Sequence, residues 1–466
     1  MVHLIPAGPG PAGSRRGDGD PRHTPNSTNP TPRAAPNTGG RTDGGPREDQ
    51  VPGSDPRRRT AVIGGGVAGL TAAHVLQRTT DVTLFEADAR LGGHAHTHDL
   101  PAGPVDSGFI VHNERTYPHL LRLFAELGVT TRDSEMSMSV ACAGCGLEYA
   151  GALGASGLFA QVRSLARGRY LRMLAEVPRF HRRARALLAD PGDTRTLDAF
   201  LDAGGFTPYF RAHFMTPLVA AVWSCAPATA GLYPARYLFA FLAHHGMLSV
   251  TGSPQWKTVT GGSRTYVERV AKSLTAVHTA TPVRAVRRVT GGVEVTDDDG
   301  TTHAFGAAVI ATHPDQALRL RPDATRAERE VLGAFTYSRN PTVLHRDASV
   351  LPRARRARAS WNYAMDGCGA DAGGVRVTYD MNRLQRLATD VPHLVTLNRK
   401  VPAEHVIAEM VYEHPVYTPE SVAAQARLPE LSDGVLAYAG AYHGWGFHED
   451  GCRSGADAAR HLGGVW

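Results

Sequence analysis

The chain has 466 residues, enough for two or three domains, and 42% of it is hydrophobic, enough for sizeable cores. Its formal net charge is +6, but only three of its 50 basic residues are lysines, so the excess reads as arginine-rich composition, and no nucleic-acid-binding motif accompanies it. Five cysteines, Cys142, Cys145, Cys225, Cys368 and Cys452, are too few and too scattered for a disulfide framework, which fits a reducing cytoplasm.

Residues 1–56 are rich in Pro, Gly, Asp, Arg, Asn and Thr and lack aliphatic periodicity. Such a segment cannot bury enough apolar surface to offset its ordering entropy, so a disordered tail is expected. It holds no apolar run of the about 7–15 residues that a secretory signal needs. Nothing elsewhere reaches about 18 consecutive apolar residues, so no transmembrane helix is expected.

Residues 59–93 organise the chain. Thr60 to Ile63 is a short apolar strand, Gly64, Gly66 and Gly69 spell G-x-G-x-x-G, Leu70 to Leu76 continues at helical spacing, and Val82 to Phe85 is a second strand. The first glycine permits a tight turn, the second lets the backbone approach a pyrophosphate, and the third lets the helix pack closely on the strand. The pyrophosphate would sit on the free N–H groups of the helix start, at Val67 and Ala68. Glu86, twenty residues after Gly66 and followed by Ala87, stands where a carboxylate accepts hydrogen bonds from an adenosine ribose.

Arg90, Gly92 and Gly93 extend this to Glu-x-x-x-Arg-x-Gly-Gly. The extended pattern resembles the signature of the flavin amine oxidase and phytoene desaturase superfamily. The resemblance implies FAD, with the arginine and the paired glycines along its ribose and phosphates. His94, His96 and His98 would alternate onto one strand face, where H-x-H is also a zinc geometry. Their place directly after the glycine pair favours lining the cofactor's path, and no metal is expected. Asp106 and Gly108 follow on a strand end; in the superfamily such an end passes close to the isoalloxazine, and Gly108 is where a flat ring needs a side chain removed.

Leu120, Leu121, Leu123, Phe124 and Leu127 have helical spacing, closed by Gly128. Cys142-x-x-Cys145 is a hairpin turn through Ala143-Gly144, a zinc pair or a thiol-exchange pair. Residues 156–189 read as helical with a break near Pro178, apolar through Val162, Leu165, Leu171, Leu174 and Val177, and basic through Arg163, Arg167, Arg169 and Arg172. That pattern fits a solvated helix or one lying on an anionic membrane. Residues 197–256 are helical and aromatic, either core or the wall of a substrate cavity.

A strand region that Thr281-Pro282-Val283 begins turns at Asp297-Asp298-Asp299-Gly300, a hairpin signal. Ala307 to Ala311 is a buried strand ending in Thr312, the point where the chain of the related enzymes returns to the nucleotide sheet. Strands at Thr342 to Leu344, Val375 to Tyr379 and His393 to Leu397 predict an antiparallel sheet carrying a substrate site. The final stretch places a strand end at Gly440 and a helix starting near Gly451, with Glu449 and Asp450 just before it; helix-start N–H groups stabilise negative charge on a reduced flavin. Tyr442, His443, Trp445 and His448 are the side chains expected nearest the flavin, with no general base assigned.

The predicted fold class is α/β, α+β overall: a Rossmann-like FAD/NAD(P)-binding domain, discontinuous over 57–135, 258–320 and 430–466, with an inserted mixed substrate domain, antiparallel sheet plus helices, over 136–257 and 321–429. Residues 58–463 also resemble one bacterial branch of the superfamily, predicted NAD/FAD-binding oxidoreductases similar to the N-terminal oxidase-like domain of plant cyclopropane fatty acid synthases. Trp223-Ser224, His244-His245-Gly246, Gln255 to Ser263, Ser360 to Tyr363, Thr378 to Gln385, Val395 to Asn398 and Gly446 to Gly451 carry this. The branch usually has arginine where Lys257 stands, so the amine oxidase lysine's role is not carried over. The resemblance implies an oxidoreductase acting on an apolar, lipid or fatty-acyl substrate, with an S-adenosylmethionine-dependent lipid methyltransferase as partner. The cysteine usage and the basic amphipathic stretch fit a cytoplasmic location, with or without peripheral attachment to the inner face of the membrane. Its rivals are a flavin-binding partner or electron relay without turnover, and an amine oxidase.

Overall fold

Short runs such as Ala61-Val62-Ile63 and Ala308-Val309-Ile310 are buried on both faces, which is what central strands of a parallel sheet require. In the computed structural model, which describes residues 57–249, 252–369 and 373–466, they join a five-stranded parallel sheet. Its order is Ala276–His278, Asp81–Phe85, Arg59–Ile63, Ala307–Ile310 and Leu436–Tyr438. The tail expected over residues 1–56 lies outside the described residues.

Helix Val67–Leu76 follows the first strand and is buried on almost every side. Its cover is the last helix, His448–His461, which begins ahead of the expected start near Gly451, so that Glu449 and Asp450 form its first turn. The two helices meet through small residues: a Cβ on Gly455 would lie 2.2 Å from the Ala68 carbonyl oxygen, and Thr71 Oγ1 is 3.4 Å from Cys452 Sγ. One apolar core fills this helical side of the sheet, with Leu70, Leu76, Leu123 and Tyr266. A second, with Phe85, Val286, Val331 and Tyr442, fills the other.

The second large sheet has seven strands, in the order Val406–Val416, Thr336–His345, Leu394–Leu397, Val377–Asp380, Trp361–Met365, Met138–Cys142 and Leu147–Ala150. It departs from the purely antiparallel expectation at one place: Trp361–Met365 and Met138–Cys142 pair in parallel. More than 200 residues separate these strands, so no hairpin dictates their direction. The parallel register brings the Cys142 and Met365 ends together. Against this sheet packs the largest core, which takes the apolar side of helix Gly168–Leu188 through Tyr170, Met173, Val177 and Phe180. Pro178 lies inside that helix. No helix among the described residues is long and apolar enough to cross a membrane.

Candidate active site

The C-terminal ends of the parallel strands and the face of the seven-stranded sheet border one cavity of about 930 Å³. This is where open α/β sheets present ligands. At its nucleotide end it is lined by Gly64, Gly66, Val67, Ala68, Glu86, Ala87, Gly93, Val283 and Thr312. Gly108, Gly440, Tyr442, Trp445 and His448 line it further along.

The glycine turn behaves as its spacing predicts. A Cβ on Gly69 would lie 1.9 Å from the Gly64 carbonyl oxygen, so the helix meets the turn without room for a side chain. A Cβ on Gly66 would meet nothing within 4 Å, although Gly66 borders the cavity. Space kept open in front of free helix N–H groups is a cradle for a diphosphate. Glu86 is oriented beside it: Oε2 accepts from the Gly65 amide at 2.6 Å and Oε1 from the Asp88 amide at 2.9 Å. A dinucleotide fits this end.

Several expected site residues stand behind the wall. Arg90 turns onto the carbonyls of Gly93 and Ala95, at 2.8 and 3.4 Å, and so braces the loop. The Gly92 amide donates to the Gly65 carbonyl at 2.8 Å. Glu449 accepts from the backbone amides of His119 and Leu120, both at 3.0 Å, and so caps helix Pro118–Leu127. Asp450 accepts from the Phe447 amide at 3.1 Å, inside the first turn of its own helix. His443 faces a separate depression with Gln425, Tyr438 and Arg453. Gly108 is small for a different reason from the one expected. A Cβ there would lie 2.1 Å from the His94 carbonyl oxygen, a protein neighbour rather than a ring.

Around the middle of the cavity, burial favours the neutral form of three histidines. His448 stacks on Phe109 at 3.7 Å, and its Nε2 lies 3.0 Å from the Tyr266 hydroxyl; burial pushes its pKa down to about 3. Burial also holds His94 well below the ordinary histidine range and His414 at about 4. Tyr412, whose hydroxyl is 2.7 Å from Ser107 Oγ, stands 5.0 Å from the His94 ring. Tyr412 and His414 were missed in the sequence, yet they sit two apart in strand Val406–Val416, so period-two reading would have placed them on one face.

Much of the remaining lining is apolar, through Met138, Leu218, Trp223, Phe241, Trp361 and Leu397. The Trp361 indole N–H and the Tyr442 hydroxyl are buried with no partner among the described residues. The His96 and His98 rings lie 4.1 Å apart, tilted by 34°, and His98 Nε2 is 2.8 Å from Ser107 Oγ, so these two imidazoles brace the neighbouring strand. Lys257 pairs with Glu114 at 2.8 Å and does not line the cavity.

Residues 67–344 match the profile of the family described as flavin containing amine oxidoreductase. Among curated proteins, the coproporphyrinogen III oxidase of Mycobacterium leprae is 27% identical over 281 residues, 56% of this chain and 61% of that one. The protein of the same name from Mycobacterium bovis is 37% identical over 82 residues, 16% of this chain and 17% of that one. The chain thus aligns with less than two thirds of the length of either relative. Among solved structures, cyclohexylamine oxidase from Brevibacterium oxydans IH-35A superposes with a TM-score of 0.63 at 18% identity, over 87% of this chain and 99% of that one. Putrescine oxidase bound to putrescine gives 0.63 at 16%, over 86% and 98%. A CLA-producing fatty acid isomerase from P. acnes gives 0.61 at 16%, over 86% and 98%. At these identities the likeness is one of fold.

Proposed function

This chain belongs to the flavin containing amine oxidoreductase family and is an FAD-dependent oxidoreductase, and we propose that its substrate is a largely apolar molecule, a lipid or fatty-acyl chain. The observation that carries this is the lining beyond the nucleotide end. Trp223, Phe241, Met247, Trp361 and Leu397 offer contact area and no charge, while the acidic lining residues are Glu86, Asp88 and Glu413. Glu86 and Asp88 belong to the nucleotide end, and Glu413 stands 3.3 Å from His313.

In this reading the amides of Val67 and Ala68 bind the diphosphate across Gly66, Glu86 binds the ribose, and the N-terminus of helix His448–His461 faces the flavin end. FAD held there would supply the hydride acceptor, with the electrons going on to oxygen or another acceptor. Phe109 and Tyr266 hold the His448 ring in one orientation. The neutral imidazoles of His94, His414 and His448 place no fixed positive charge beside the reacting atoms. The aromatic side excludes water, which strengthens every polar contact at the flavin end.

Anaerobic mixing tests this. A fatty-acyl lipid is expected to bleach the visible flavin band, whereas an alkylamine or coproporphyrinogen III is not. The amine reading has one specific support, the Trp361 and Tyr379 rings set edge-to-face at 5.1 Å, a surface that also attracts an ammonium. Bleaching by amine alone would establish that reading, and reduction by none of the three would point to a flavin-binding partner without turnover.

We also propose that this enzyme touches anionic membranes. Val162, Leu165 and Leu171 are 81%, 56% and 40% exposed, and Arg163, Arg167, Arg169 and Arg172 stand among them in sequence. Flotation with phosphatidylglycerol vesicles is expected at low salt and should fade as the Debye length shrinks to about 10 Å at 0.1 M. Absence of binding at low salt would remove the proposal.

A further inference from the structure

The cysteine pair noted in the sequence is a hairpin turn, as one of its readings held: Met138–Cys142 and Leu147–Ala150 are antiparallel neighbours with Cys142 opposite Leu147. The fold adds two donors that sequence spacing could not supply. Cys368, on the turn after strand Trp361–Met365, brings its sulfur to 3.8 Å from Cys142 Sγ. His213, from the helical region, brings Nε2 to 3.5 Å from Cys145 Sγ. All four donor atoms lie within 4.8 Å of one another.

We propose that Cys142, Cys145, Cys368 and His213 hold one zinc ion in a closed tetrahedral site. Zinc bonds of about 2.3 Å to sulfur and about 2.0–2.1 Å to nitrogen, at tetrahedral angles, set the ligand atoms about 3.8 Å (S to S) and about 3.6 Å (S to N) apart. The Cys142–Cys368 and Cys145–His213 separations match both values. A disulfide would need about 2.05 Å, and it would leave the histidine and the remaining thiol unexplained.

The surroundings are built for thiolates. The Cys145 amide donates toward Cys142 Sγ and the Leu147 amide toward Cys145 Sγ, bonds that spread negative charge off a metal-bound sulfur. Gly146, at φ 66°, lets the chain turn directly after the second cysteine. The two turns interlock: the Ala143 amide donates to the Met365 carbonyl at 2.8 Å, and a Cβ on Gly144 would lie 2.9 Å from the Gly367 Cα.

His213 is wholly buried, its ring stacked on Tyr209 at 3.9 Å and its Nδ1 3.2 Å from the Tyr209 carbonyl. That carbonyl fixes the proton on Nδ1 and turns the Nε2 lone pair toward the sulfurs, the outer-shell arrangement of a zinc-bound histidine. It sits in a π-helical turn, Arg211–Met215, an irregularity common at functional sites. Three thiolates and one zinc ion carry a single net negative charge, and Arg163 binds the Gly146 carbonyl at 2.9 Å beside them.

None of the four residues lines the large cavity. With four protein ligands no coordination position stays open for substrate, so the ion is structural. It ties the hairpin, the Cys368 turn and the helical region carrying His213 into one corner.

Purified FAD-loaded protein, analysed by inductively coupled plasma mass spectrometry after gel filtration, is expected to carry about one zinc per chain. Cys145→Ser is expected to lose it and to melt at a lower temperature, while Cys225→Ser, at a buried cysteine outside the cluster, keeps it. Wild-type protein that stays zinc-free after purification with added zinc would overturn the site, as would a Cys142–Cys368 disulfide found by mass spectrometry. Should Cys145→Ser fail to accumulate, wild-type protein stripped with a chelator and titrated with cobalt(II) decides. One equivalent with tetrahedral, thiolate-type absorption supports the site, and no such band refutes it.

Discussion

Gly66→Val is expected to yield a folded chain without FAD. The residue has φ −75° and ψ 179°, extended geometry that valine adopts freely, and no atom lies within 4 Å of its missing Cβ. The protein therefore does not need glycine there, so the need must come from something outside the chain. Valine would fill the space before the Val67 and Ala68 amides and hold a diphosphate away from them. FAD affinity should fall at least about 100-fold, roughly 3 kcal/mol, with the melting curve of the FAD-free protein little changed. Gly69→Val should do the reverse in its cause: a Cβ 1.9 Å from the Gly64 oxygen breaks the turn itself, so stability falls before binding is measured. Flavin content per chain and thermal melts of both variants check this. Gly66→Val that retains wild-type FAD would remove the diphosphate assignment.

Asp106→Ala is expected to destabilise the fold by about 3–4 kcal/mol. The buried carboxylate accepts from Thr97 Oγ1 at 2.6 Å, from Ser263 Oγ at 2.7 Å and amide at 3.0 Å, and from Gln385 Nε2 at 3.0 Å. Gln385 returns the contact, its Oε1 accepting from the Asp106 amide at 2.8 Å. Alanine leaves all four donors buried and unpaired. Asp106→Asn should lose less, since its oxygen still accepts while its amide hydrogens face donors. Burial outweighs these bonds and raises the carboxyl from 3.8 to about 6. Over that interval the folded state holds a proton that the unfolded state has released, so this contribution is full below about 3.8 and lost as pH rises through about 6. The wild type's stability relative to Asp106→Asn should fall by roughly 2 kcal/mol from pH 4 to pH 6. Urea midpoints at a series of pH values measure it, and a flat difference would refute the shift.

The parts of this protein legible in its sequence are those decided within a few residues. Gly64 and Gly69 owe their identity to the turn itself, Gly66 to the open space beside it, and Glu86 closes the same unit, so spacing was enough. Residues whose partners come from far away were not legible. Gly108 is set by the His94 carbonyl, and Glu449 turns to the amides of a helix some 330 residues earlier. Cys142 and Cys145 announced half of a cluster; Cys368 and His213 joined it only because a parallel strand pairing and a π-helical turn brought them there. Three strands of the seven-stranded sheet are legible in their β-branched runs, but its one parallel pairing is not, since no local signal encodes the direction of strands that no hairpin connects.

The five parallel strands come from stretches beginning at residues 59, 81, 276, 307 and 436, and the helix that covers the first helix runs to His461. On the ribosome, then, the central sheet waits for almost the whole chain. The strand Ala307–Ile310 keeps an open edge until Leu436–Tyr438 emerges to pair with it. Until the last helix follows, the buried face of Val67–Leu76 stays uncovered, a window in which nascent chains can associate with one another. The same separation makes contact order high and folding slow.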